Sequence, residues 1–462
     1  MKDILAFVLV FLLSLGAATA QSPLIRFKHI TPSEGLSHSN VTSIIQDRKG
    51  FMWFGTQDGL NRYDGYSFTS YRSNPAKPGT LSDNFIQVVY EDRQGKIWVG
   101  TDSDGLCRLD PETGHFTTYK NDEKKPKSLS NDRIRAITED PQGNLWVGTD
   151  GGVNRFDPAT QTFQRYVSEP GRSGSLSIDY IQDILFDRKG QMWVATYGGG
   201  LNKFDRKTNR FEHFRHRASD KTSISHDIVK SLLEDANGTL WVATEGGGLN
   251  RLNADQKTFT RFLHNPADKT SISHNDLQVL QEDRHGSLWI GTENGGISVL
   301  NPDGVTFTRY GYDERNPDGL NNGSIYDICR DRSGNMWVGT FDGGINFMDA
   351  QPPRFDQIRK DILNPNSLQG KSVLAVLEDL EGNLWMETDG GGLNVLRKRD
   401  GRFIQYRHNP TDPGSIGSNA VVCLYQDSDG DIWAGNFRGG LSLWQKGTGD
   451  LKILAKPMMN GD

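Results

Sequence analysis

The sequence predicts an all-β protein, a β-propeller of four-stranded antiparallel blades with one seven-bladed ring and two blades of a second, incomplete ring. Nine tryptophans recur at gaps of 45, 48 and 47 residues and then five gaps of 48. Each period carries four short strand-like segments separated by Gly-rich turns. Four short antiparallel strands cannot close a core alone, and radial repetition lets each sheet pack against its neighbours. The repeated tryptophans are Trp53, Trp98, Trp146, Trp193, Trp241, Trp289, Trp337, Trp385 and Trp433.

The N-terminus has the pattern of a cleavable signal peptide over residues 1–20. Lys2 precedes an apolar run at residues 4–16, and Ala18-Thr19-Ala20 supplies small residues for cleavage before Gln21. The apolar run is short for a membrane span. We therefore expect the mature chain to be exported to the periplasm as a soluble protein.

Net charge argues against nucleic acid as a partner, and cysteine spacing argues against a metal or redox site. The net charge is −6 with both signs interspersed, so the chain lacks the basic footprint of a nucleic-acid-binding protein. The three cysteines, Cys107, Cys329 and Cys423, show no metal-binding or redox spacing. They are expected to be small residues packed in strands, and a free thiol that pairs with another chain is the alternative.

The repeat unit begins with a strand that is apolar at its first and fourth positions, as at Val41 and Ile44. Because side chains alternate along a strand, these positions are expected on opposite faces, with the strand buried on both sides. An Asp-x-x-Gly turn follows, in which the acid binds backbone N–H groups and the glycine takes a positive φ. The second strand carries the tryptophan, and the small residue that follows Trp-Val, such as Gly100, fits a close approach of two sheets.

The fourth strands indicate where a ring begins. Seven copies have the pattern Phe-x-x-Tyr or Phe-x-x-Phe, whereas residues 27–30 and 355–358 end in isoleucine. The second of these follows Pro352-Pro353, which predicts a break. The strand near Phe27 is therefore expected to complete the blade of Trp337, giving a seven-bladed propeller over residues 24–350 and two further blades over 351–462. A single eight-bladed or nine-bladed ring is the alternative.

The motifs resemble a known family. EDPQGNLWVGTDGGVNRFD at residues 139–157 is similar to the two-component regulator propeller repeat. GLSHSNVTSIIQDRKGFMWFGTQDGLNRYDGY at residues 35–66 resembles the first blade of the periplasmic sensor half of hybrid two-component systems. The resemblance implies two seven-bladed propellers, an immunoglobulin-like module, a membrane helix and a histidine kinase or diguanylate cyclase output. It also implies carbohydrate sensing, which many members perform.

The sequence departs from that plan in two respects. It reaches Asp462 with no membrane helix and no kinase or cyclase motif, so we expect a truncated sensor half and no enzyme activity. Glu387 stands where other copies have Gly or Ala, and Asn436 replaces an otherwise uniform Thr. A buried carboxylate needs partners, so Glu387 is either a site residue or a sign of relaxed selection.

No catalytic, cofactor or metal site is predicted. The Asp-x-x-Gly turn occurs in all nine copies, which indicates a hairpin role, and His38, His226 and His274 share one repeat position without converging. Ligand-binding residues are expected on the face that carries the second-to-third turns and the interblade connections, where the copies differ. Aromatic, acidic and amide side chains there suit a sugar. The candidates are Tyr197, Glu245, Asn294, Phe341 and Arg438.

Three functions from different classes follow. The leading hypothesis is a periplasmic ligand-sensing propeller of a two-component-type signalling system that responds to carbohydrate. The alternatives are a propeller lyase or glycosidase, for which Asp183, Lys230 and Asp327 are scattered candidates, and a non-catalytic interaction scaffold. Expected partners are an oligosaccharide, a membrane-bound histidine kinase or diguanylate cyclase, and a second copy of the chain in a homodimer.

Overall fold

The computed structural model describes residues 25–351, 358–361 and 364–455. The predicted signal peptide and the start of the strand at Phe355 lie outside the described residues. The chain divides into two compact units between residues 352 and 353. The described secondary structure consists of strands and one 3-10 turn, Pro32–Glu34. None of the described helical structure has the length and hydropathy of a membrane span.

The first unit contains seven four-stranded antiparallel sheets, which are the blades. The first strands surround the axis and are β2 (Val41–Gln46), β6 (Ile86–Glu91), β10 (Ile134–Glu139), β14 (Ile181–Phe186), β18 (Val229–Glu234), β22 (Leu277–Glu282) and β26 (Ile325–Arg330). The second strands, which carry the tryptophans, are β3 (Met52–Thr56), β7 (Ile97–Thr101), β11 (Leu145–Thr149), β15 (Met192–Thr196), β19 (Leu240–Thr244), β23 (Leu288–Thr292) and β27 (Met336–Thr340).

The outer half of each blade follows the same order. The third strands are β4 (Gly59–Tyr63), β8 (Leu106–Asp110), β12 (Gly152–Asp157), β16 (Leu201–Asp205), β20 (Gly248–Leu252), β24 (Ile297–Leu300) and β28 (Ile345–Met348). The outermost strands are β5 (Phe68–Tyr71), β9 (His115–Tyr119), β13 (Thr162–Tyr166), β17 (Arg210–Phe214), β21 (Phe259–Phe262), β25 (Phe307–Tyr310) and, for the seventh blade, β1 (Lys28–Ile30).

The ring closes through its first strand. The seventh sheet has the order β1-β28-β27-β26, with Lys28 paired to Phe347. Across the seam between blades 7 and 1, the Ile44 N–H donates to Asp327 Oδ2 at 2.6 Å. The predicted seven-bladed ring is therefore confirmed, and the single eight-bladed or nine-bladed ring is wrong.

Every first strand contains a β-bulge that the alternation argument missed. In blade 1 the pairing steps from Val41↔Thr56 to Ser43↔Gly55, which leaves Thr42 unpaired. The extra residue turns Val41 and Ile44 to the same face, where both pack against the tryptophan of blade 7. The expectation that positions one and four lie on opposite faces is therefore wrong, because a bulge adds one residue to the alternation.

Neighbouring blades approach most closely at the small residue after Trp-Val. Trp53 packs against Ile86 and Val89 of blade 2. A Cβ added to Gly55 would lie 2.7 Å from Ile86 Cγ2, closer than a side chain tolerates. The expected close approach is therefore confirmed, and it fixes the distance between blades.

The Asp-x-x-Gly turn is joined to the tryptophan in all nine blades. In blade 3, Asp140 Oδ1 accepts the N–H groups of Gln142 and Asn144, and Oδ2 accepts the Trp146 Nε1–H at 3.1 Å. Gly143 has φ +82°, as the turn requires. The corresponding donor–acceptor distances elsewhere run from 2.7 Å at Trp98 to 3.2 Å at Trp193. One carboxylate thus holds both the turn and the largest interblade side chain.

A polar triad holds the opposite end of the blade. Ser37 Oγ lies 2.9 Å from Thr56 Oγ1 and accepts a hydrogen bond from Asn61 Nδ2 at 2.7 Å. The Ser37 N–H in turn donates to Asn61 Oδ1. Thr56 and Asn61 are fully buried. The triad satisfies polar groups where the connection enters the sheet, which explains the repeated Ser, Thr and Asn.

Three polar side chains join neighbouring first strands near the axis. Ser43, Asp183 and Asp327 each accept a backbone N–H from the next blade, from Val89, Leu232 and Ile44. Burial raises the pKa of Asp183 to about 6 and that of Asp327 to about 7. Two of the seam contacts therefore contain carboxyl groups that hold their protons more tightly than exposed acids do.

The second unit has two blades. The first consists of β29 (Val373–Glu378), β30 (Leu384–Thr388), β31 (Gly392–Leu396) and β32 (Phe403–Tyr406), and the second of β33 (Val421–Gln426), β34 (Ile432–Asn436), β35 (Gly440–Trp444) and β36 (Leu451–Ala455). Their shared core includes Trp385, Leu393 and Val421. Val376 of β29 is 63% exposed, whereas the equivalent Ile44 of the ring is buried. The predicted fold class of four-stranded antiparallel propeller blades, seven in one ring and two more in a second unit, is thus confirmed.

The two unusual residues of this unit have different explanations. The Asn436 amide donates to Ser442 Oγ at 2.8 Å, and Gly417 N–H donates to the same oxygen, so a changed triad is rebuilt. Glu387 is fully buried, and neither carboxylate oxygen has a hydrogen-bond partner among the residues that the structure describes. Burial raises the pKa of Glu387. The Asn436 amide nitrogen is therefore satisfied, whereas Asn436 Oδ1 and both Glu387 oxygens have no partner among the described residues.

We predict that residues 24–350 fold without residues 351–462, because β1 closes the ring within this segment. The truncated chain should show β-sheet circular dichroism and one cooperative unfolding transition. A control ending at residue 300 lacks β25 of blade 6 and three strands of blade 7 and should not fold. An unfolded 24–350 product would contradict the closure.

We predict that Asp140→Ala destabilises the ring by about 2–4 kcal/mol, because it leaves a buried indole N–H and two turn N–H groups without an acceptor. The Asp140 side chain is only 1% exposed. Chemical denaturation followed by tryptophan fluorescence measures the change. Asp255→Ala, in an exposed turn, is the control and should cost much less. Equal losses from both variants would show that the indole contact contributes no more than a surface turn.

We predict that Asp327→Asn changes how stability depends on pH. A raised pKa stabilises the folded state at low pH, and this contribution is lost as the pH rises through about 7. The asparagine does not titrate, so the variant should not lose this contribution as the pH rises. Between about pH 5 and 7, the free energy of unfolding of the parent should therefore fall relative to that of the variant by up to about 1.4 kcal/mol per pH unit. Asp303→Asn, in an exposed turn, should leave the profile over this range parallel to the parent. A parallel profile for Asp327→Asn would disprove the raised pKa.

Candidate functional site

The mouth of the axial channel is one place where the seven blades differ. We define the channel mouth by two positions in each blade: the bulged second residue of the first strand and the residue after the threonine that ends the second strand. The pairs, in blade order, are Thr42 and Gln57, Gln87 and Asp102, Arg135 and Asp150, Gln182 and Tyr197, Lys230 and Glu245, Gln278 and Glu293, and Tyr326 and Phe341.

The backbone fixes both positions in each blade. The bulged residue is left out of the strand pairing, and a bulge re-aims the side chain it carries. The second position is held by its own N–H, which donates to the carbonyl of the residue before the first strand. This bond is 3.0 Å from Glu245 to Ile228 and 3.1 Å from Phe341 to Ser324. The scaffold therefore presents two side chains per blade whatever their chemistry.

Blades 2 and 3 place a hydrogen-bonded charged cluster at the mouth. Arg135 Nε donates to Asp150 Oδ1 at 3.1 Å, and its Nη1 donates to Gln87 Oε1 at 3.4 Å. Gln87 Nε2 donates to Asp102 Oδ1 at 2.8 Å, and Arg133 bridges Asp102 and Asp150. These contacts hold the polar groups in fixed positions before any ligand arrives.

Lys230 is a largely buried cation of the mouth. Its ammonium lies 3.7 Å from a carboxylate oxygen of Glu245, and its side chain is only 20% exposed. Desolvation lowers the pKa of Lys230, Arg135 lowers it further, and Glu245 and Glu293 oppose the shift. Side chains from blades 3, 5 and 6 therefore act on one ammonium group, which shows that they converge at the mouth.

The mouth also has an aromatic side. The rings of Tyr326 and Phe341 lie 5.7 Å apart in an edge-to-face arrangement, and Phe341 is 49% exposed. Tyr197 is about as exposed, at 44%. Glu293 lies between the polar and aromatic sides, since its carboxylate accepts from Gln278 Nε2 at 3.2 Å and from Ser324 Oγ at 3.0 Å. The mouth therefore combines exposed ring faces with oriented acceptors and donors.

A cavity of about 460 Å³ lies on the axis between the first strands of blades 1 and 4–7. Its lining includes Asp183, Asp327 and Cys329. Both carboxylates accept two backbone N–H groups, one from the next residue and one from the neighbouring blade. The acids that the sequence offered for catalysis are therefore occupied in joining blades.

Three of the five predicted site residues belong to the channel mouth, namely Tyr197, Glu245 and Phe341. Asn294 is one residue further along its turn, at φ +63°, a conformation that asparagine tolerates better than most residues. Its presence is therefore explained by the turn. Arg438 belongs to the second unit, also at positive φ, with its guanidinium 5.3 Å from the ring of Phe437. The ligand-binding role of all five stays a prediction.

Sequence reasoning missed the bulged half of the site. Arg135, Gln278 and Tyr326 were not singled out, because the bulge was not expected and strand residues were assigned to the core. Lys230 was named only as a scattered candidate. The available signal was the second position of the first strand, which differs between copies while the first and fourth positions stay apolar.

The recurrent histidines have a turn role. The Nδ1 atoms of His38, His226 and His274 accept the backbone N–H two residues later, at 3.0–3.1 Å. Aspartate and asparagine make the same contact at this position in other blades, as Asp83 does with Phe85 and Asn131 with Arg133. The repeat position thus needs an acceptor near the backbone, which the imidazole supplies.

Solved structures similar to this chain include extracellular domains from B. thetaiotaomicron. The extracellular domain of BT3049, assigned to a hybrid two component system, matches with a TM-score of 0.69 and 29% identity over 93% of this chain and 55% of that one. That of BT4673 matches with a TM-score of 0.56 and 22% identity, over 92% and 59% of the two chains. This chain therefore spans little more than half the length of these domains.

Two further similarities are narrower. Virginiamycin B lyase from Staphylococcus aureus matches with a TM-score of 0.53 and 14% identity over 71% of this chain and 100% of that one, which indicates a shared fold alone. Histidine kinase P4 of Formosa agariphila is 48% identical over 63 residues, which are 14% of this chain and 5% of that protein.

The repeats themselves match a family model. The two component regulator propeller model matches eight segments, residues 35–58, 80–103, 128–151, 175–198, 223–246, 271–294, 319–342 and 415–438. Each segment runs from the residues before the first strand to the second-to-third turn, so it contains the Asp-x-x-Gly turn and the repeated tryptophan. The chain belongs to the two-component regulator propeller repeat family.

Proposed function

We propose that this protein is a ligand-sensing module of a two-component-type signalling system and that it binds carbohydrate at the channel mouth. The observation that carries this proposal is that two side chains per blade, different from one blade to the next, meet around one channel on a repeated scaffold. Residues of a rigid scaffold that vary at one concave point are those free to specify a ligand.

The chemistry of the mouth favours a sugar. Pyranose rings present C–H faces that pack on aromatic rings, and Phe341 and Tyr197 offer exposed ring faces. Sugar hydroxyl groups need both donors and acceptors, which Gln87, Gln278 and Glu293 provide from fixed positions. A purely apolar or purely charged ligand would use only part of this surface.

The proposed setting is the periplasm, and the proposed output partner is a membrane-bound histidine kinase. The extracellular domains of B. thetaiotaomicron that resemble this chain and the matching segment of a histidine kinase support this assignment. A diguanylate cyclase would receive the same signal in the alternative arrangement. Homodimer formation would provide the geometry for passing the signal to such a partner.

The proposed role is non-catalytic. A propeller enzyme needs an acid or base that is free to move a proton on the substrate. Asp183 and Asp327 each accept two backbone N–H groups, and Lys230 is held beside Glu245. The two aspartates therefore join neighbouring blades, and the lysine is held in an ion pair. The aromatic side of the mouth provides rings for ligand contact.

We predict that Tyr326→Ala and Phe341→Ala each weaken binding of the sensed oligosaccharide about fivefold to tenfold, because each removes one aromatic contact. A panel of oligosaccharides is first screened against the full chain by thermal shift, and affinities of the hits are measured by titration calorimetry. Tyr66→Ala is the matched control, since Tyr66 is 95% exposed in a third-to-fourth turn on the opposite face.

The proposal fails if no oligosaccharide shifts the unfolding temperature of the full chain. It also fails if Tyr66→Ala weakens binding as much as the two mouth variants do. Release of a modified sugar product by the parent protein would instead establish the enzyme alternative.

A further inference from the structure

A second concave surface lies at the outer side of the ring, between blades 2 and 3. It is a groove of about 530 Å³ between the connection that follows β9 and the start of β13. This volume lies in the range that is usual for small-molecule sites. Lys120, Lys124, Lys125 and Lys127 line it from the connection. We call this surface the lysine groove.

Two of the four lysines have no acidic partner. The Lys120 ammonium pairs with Asp104, and that of Lys125 lies 3.1 Å from Asp122. Lys124 and Lys127 are exposed and form no ion pair with any residue that the structure describes. Glu123 is exposed on the same connection. The groove therefore offers two unpaired ammonium groups to an incoming group, and its net charge stays positive when Asp104, Asp122 and Glu123 are counted against the four lysines.

The connection that carries these lysines is pinned to blade 3. The Phe163 N–H donates to Lys127 O at 2.7 Å, and Arg165 Nε donates to Ser128 O at 2.8 Å. The Lys125 N–H donates to Asp122 O, which closes a turn within the connection. Lys124 and Lys127 consequently extend from a backbone of fixed shape, and less entropy is lost when they meet a ligand.

The walls between the charges are apolar. Tyr119, Pro126 and Phe163 line the groove, and lysine stems add methylene groups while their ammonium groups stay in water. Tyr119 is fixed through its hydroxyl, which bonds Gln161. A ligand that suits this surface carries negative groups on a ring with apolar faces.

We propose that the lysine groove binds an acidic polysaccharide through carboxylate or sulfate groups on its sugar rings. The rings pack on Tyr119 and Pro126, and their anionic groups meet Lys124 and Lys127. A peptide of acidic residues has the charge but lacks the ring faces, and a flat membrane surface does not enter a concave groove.

This site is distinct from the channel mouth and shares no residue with it. It rests on the proposed function only for the class of ligand, carbohydrate. Copies of the connection elsewhere differ in charge: the connections at residues 216–226 and 264–274 each carry a single lysine, Lys221 and Lys269, both exposed. Those two lysines provide a matched control with the same loss of charge.

The test measures binding of hexasaccharides to the full chain by calorimetry. The probes are an oligogalacturonate, a heparin-type sulfated oligosaccharide and a neutral cello-oligosaccharide. The expected result is binding of an acidic probe that weakens with added salt. Lys124→Gln/Lys127→Gln should reduce that affinity roughly threefold to tenfold, and Lys221→Gln/Lys269→Gln should not. The tighter of the two acidic probes identifies the anionic group.

Several results would overturn the proposal. These are equal affinity for the neutral probe, equal loss in the control variant, and equal or tighter binding of a glutamate hexapeptide. Tighter binding of phosphatidylglycerol vesicles with the same lysine dependence would also overturn it, in favour of a membrane surface. Phe341→Ala separates the two sites: retained affinity for the acidic probe in this variant supports the groove even where the channel mouth binds nothing.

Discussion

The indole N–H of each repeated tryptophan donates to the carboxylate that opens the preceding turn. This contact links the turn, the blade and the packing of one blade on the next. It closes the hairpin, because the other oxygen of the carboxylate accepts turn N–H groups. It also orients the largest apolar side chain of the blade, which packs on the next one, as Trp53 does on Ile86 and Val89. A ring of seven such sheets follows from one acid, one glycine and one tryptophan per copy.

The same constraint explains where the molecule can vary. Residues that face a neighbouring blade meet its side chains at contact distance, so Gly55 cannot gain even a Cβ without a clash. The bulge frees one residue per first strand from that packing, and the residue after the second strand is positioned by a backbone hydrogen bond that does not depend on its side chain. Variation at these two positions costs the scaffold little, and the fold brings seven pairs of them together around one channel.

The blades and the closure of the ring could be predicted from the sequence, whereas half of the channel mouth could not. The isoleucine-ended strand at residues 27–30 identified the closure with the blade of Trp337, because the outermost strand lacks the aromatic that other copies stack on their tryptophan. The bulge could not be inferred from alternation, since one inserted residue reverses the faces of all that follow. Tyr326 and Arg135 were missed with it. Asn294 drew attention as a distinctive side chain, although its backbone conformation accounts for it.

A residue that differs between repeat copies points to function only when it does not simply preserve the hydrogen bonds of the residue that it replaces. Cys107 and Ser298 replace the triad asparagine, yet each still contacts its serine, Ser82 or Ser273. In the last blade, Asn436 and Ser442 replace the triad threonine and asparagine and bond each other through the Asn436 amide nitrogen. The mouth residues behave differently: Lys230 is brought near Arg135 at an electrostatic cost, although glutamine at Gln87 and Gln278 shows that the position accepts a neutral side chain. Packing does not explain why two cations and Glu245 stand where neutral residues fit, and the proposed ligand binding at the mouth would account for them.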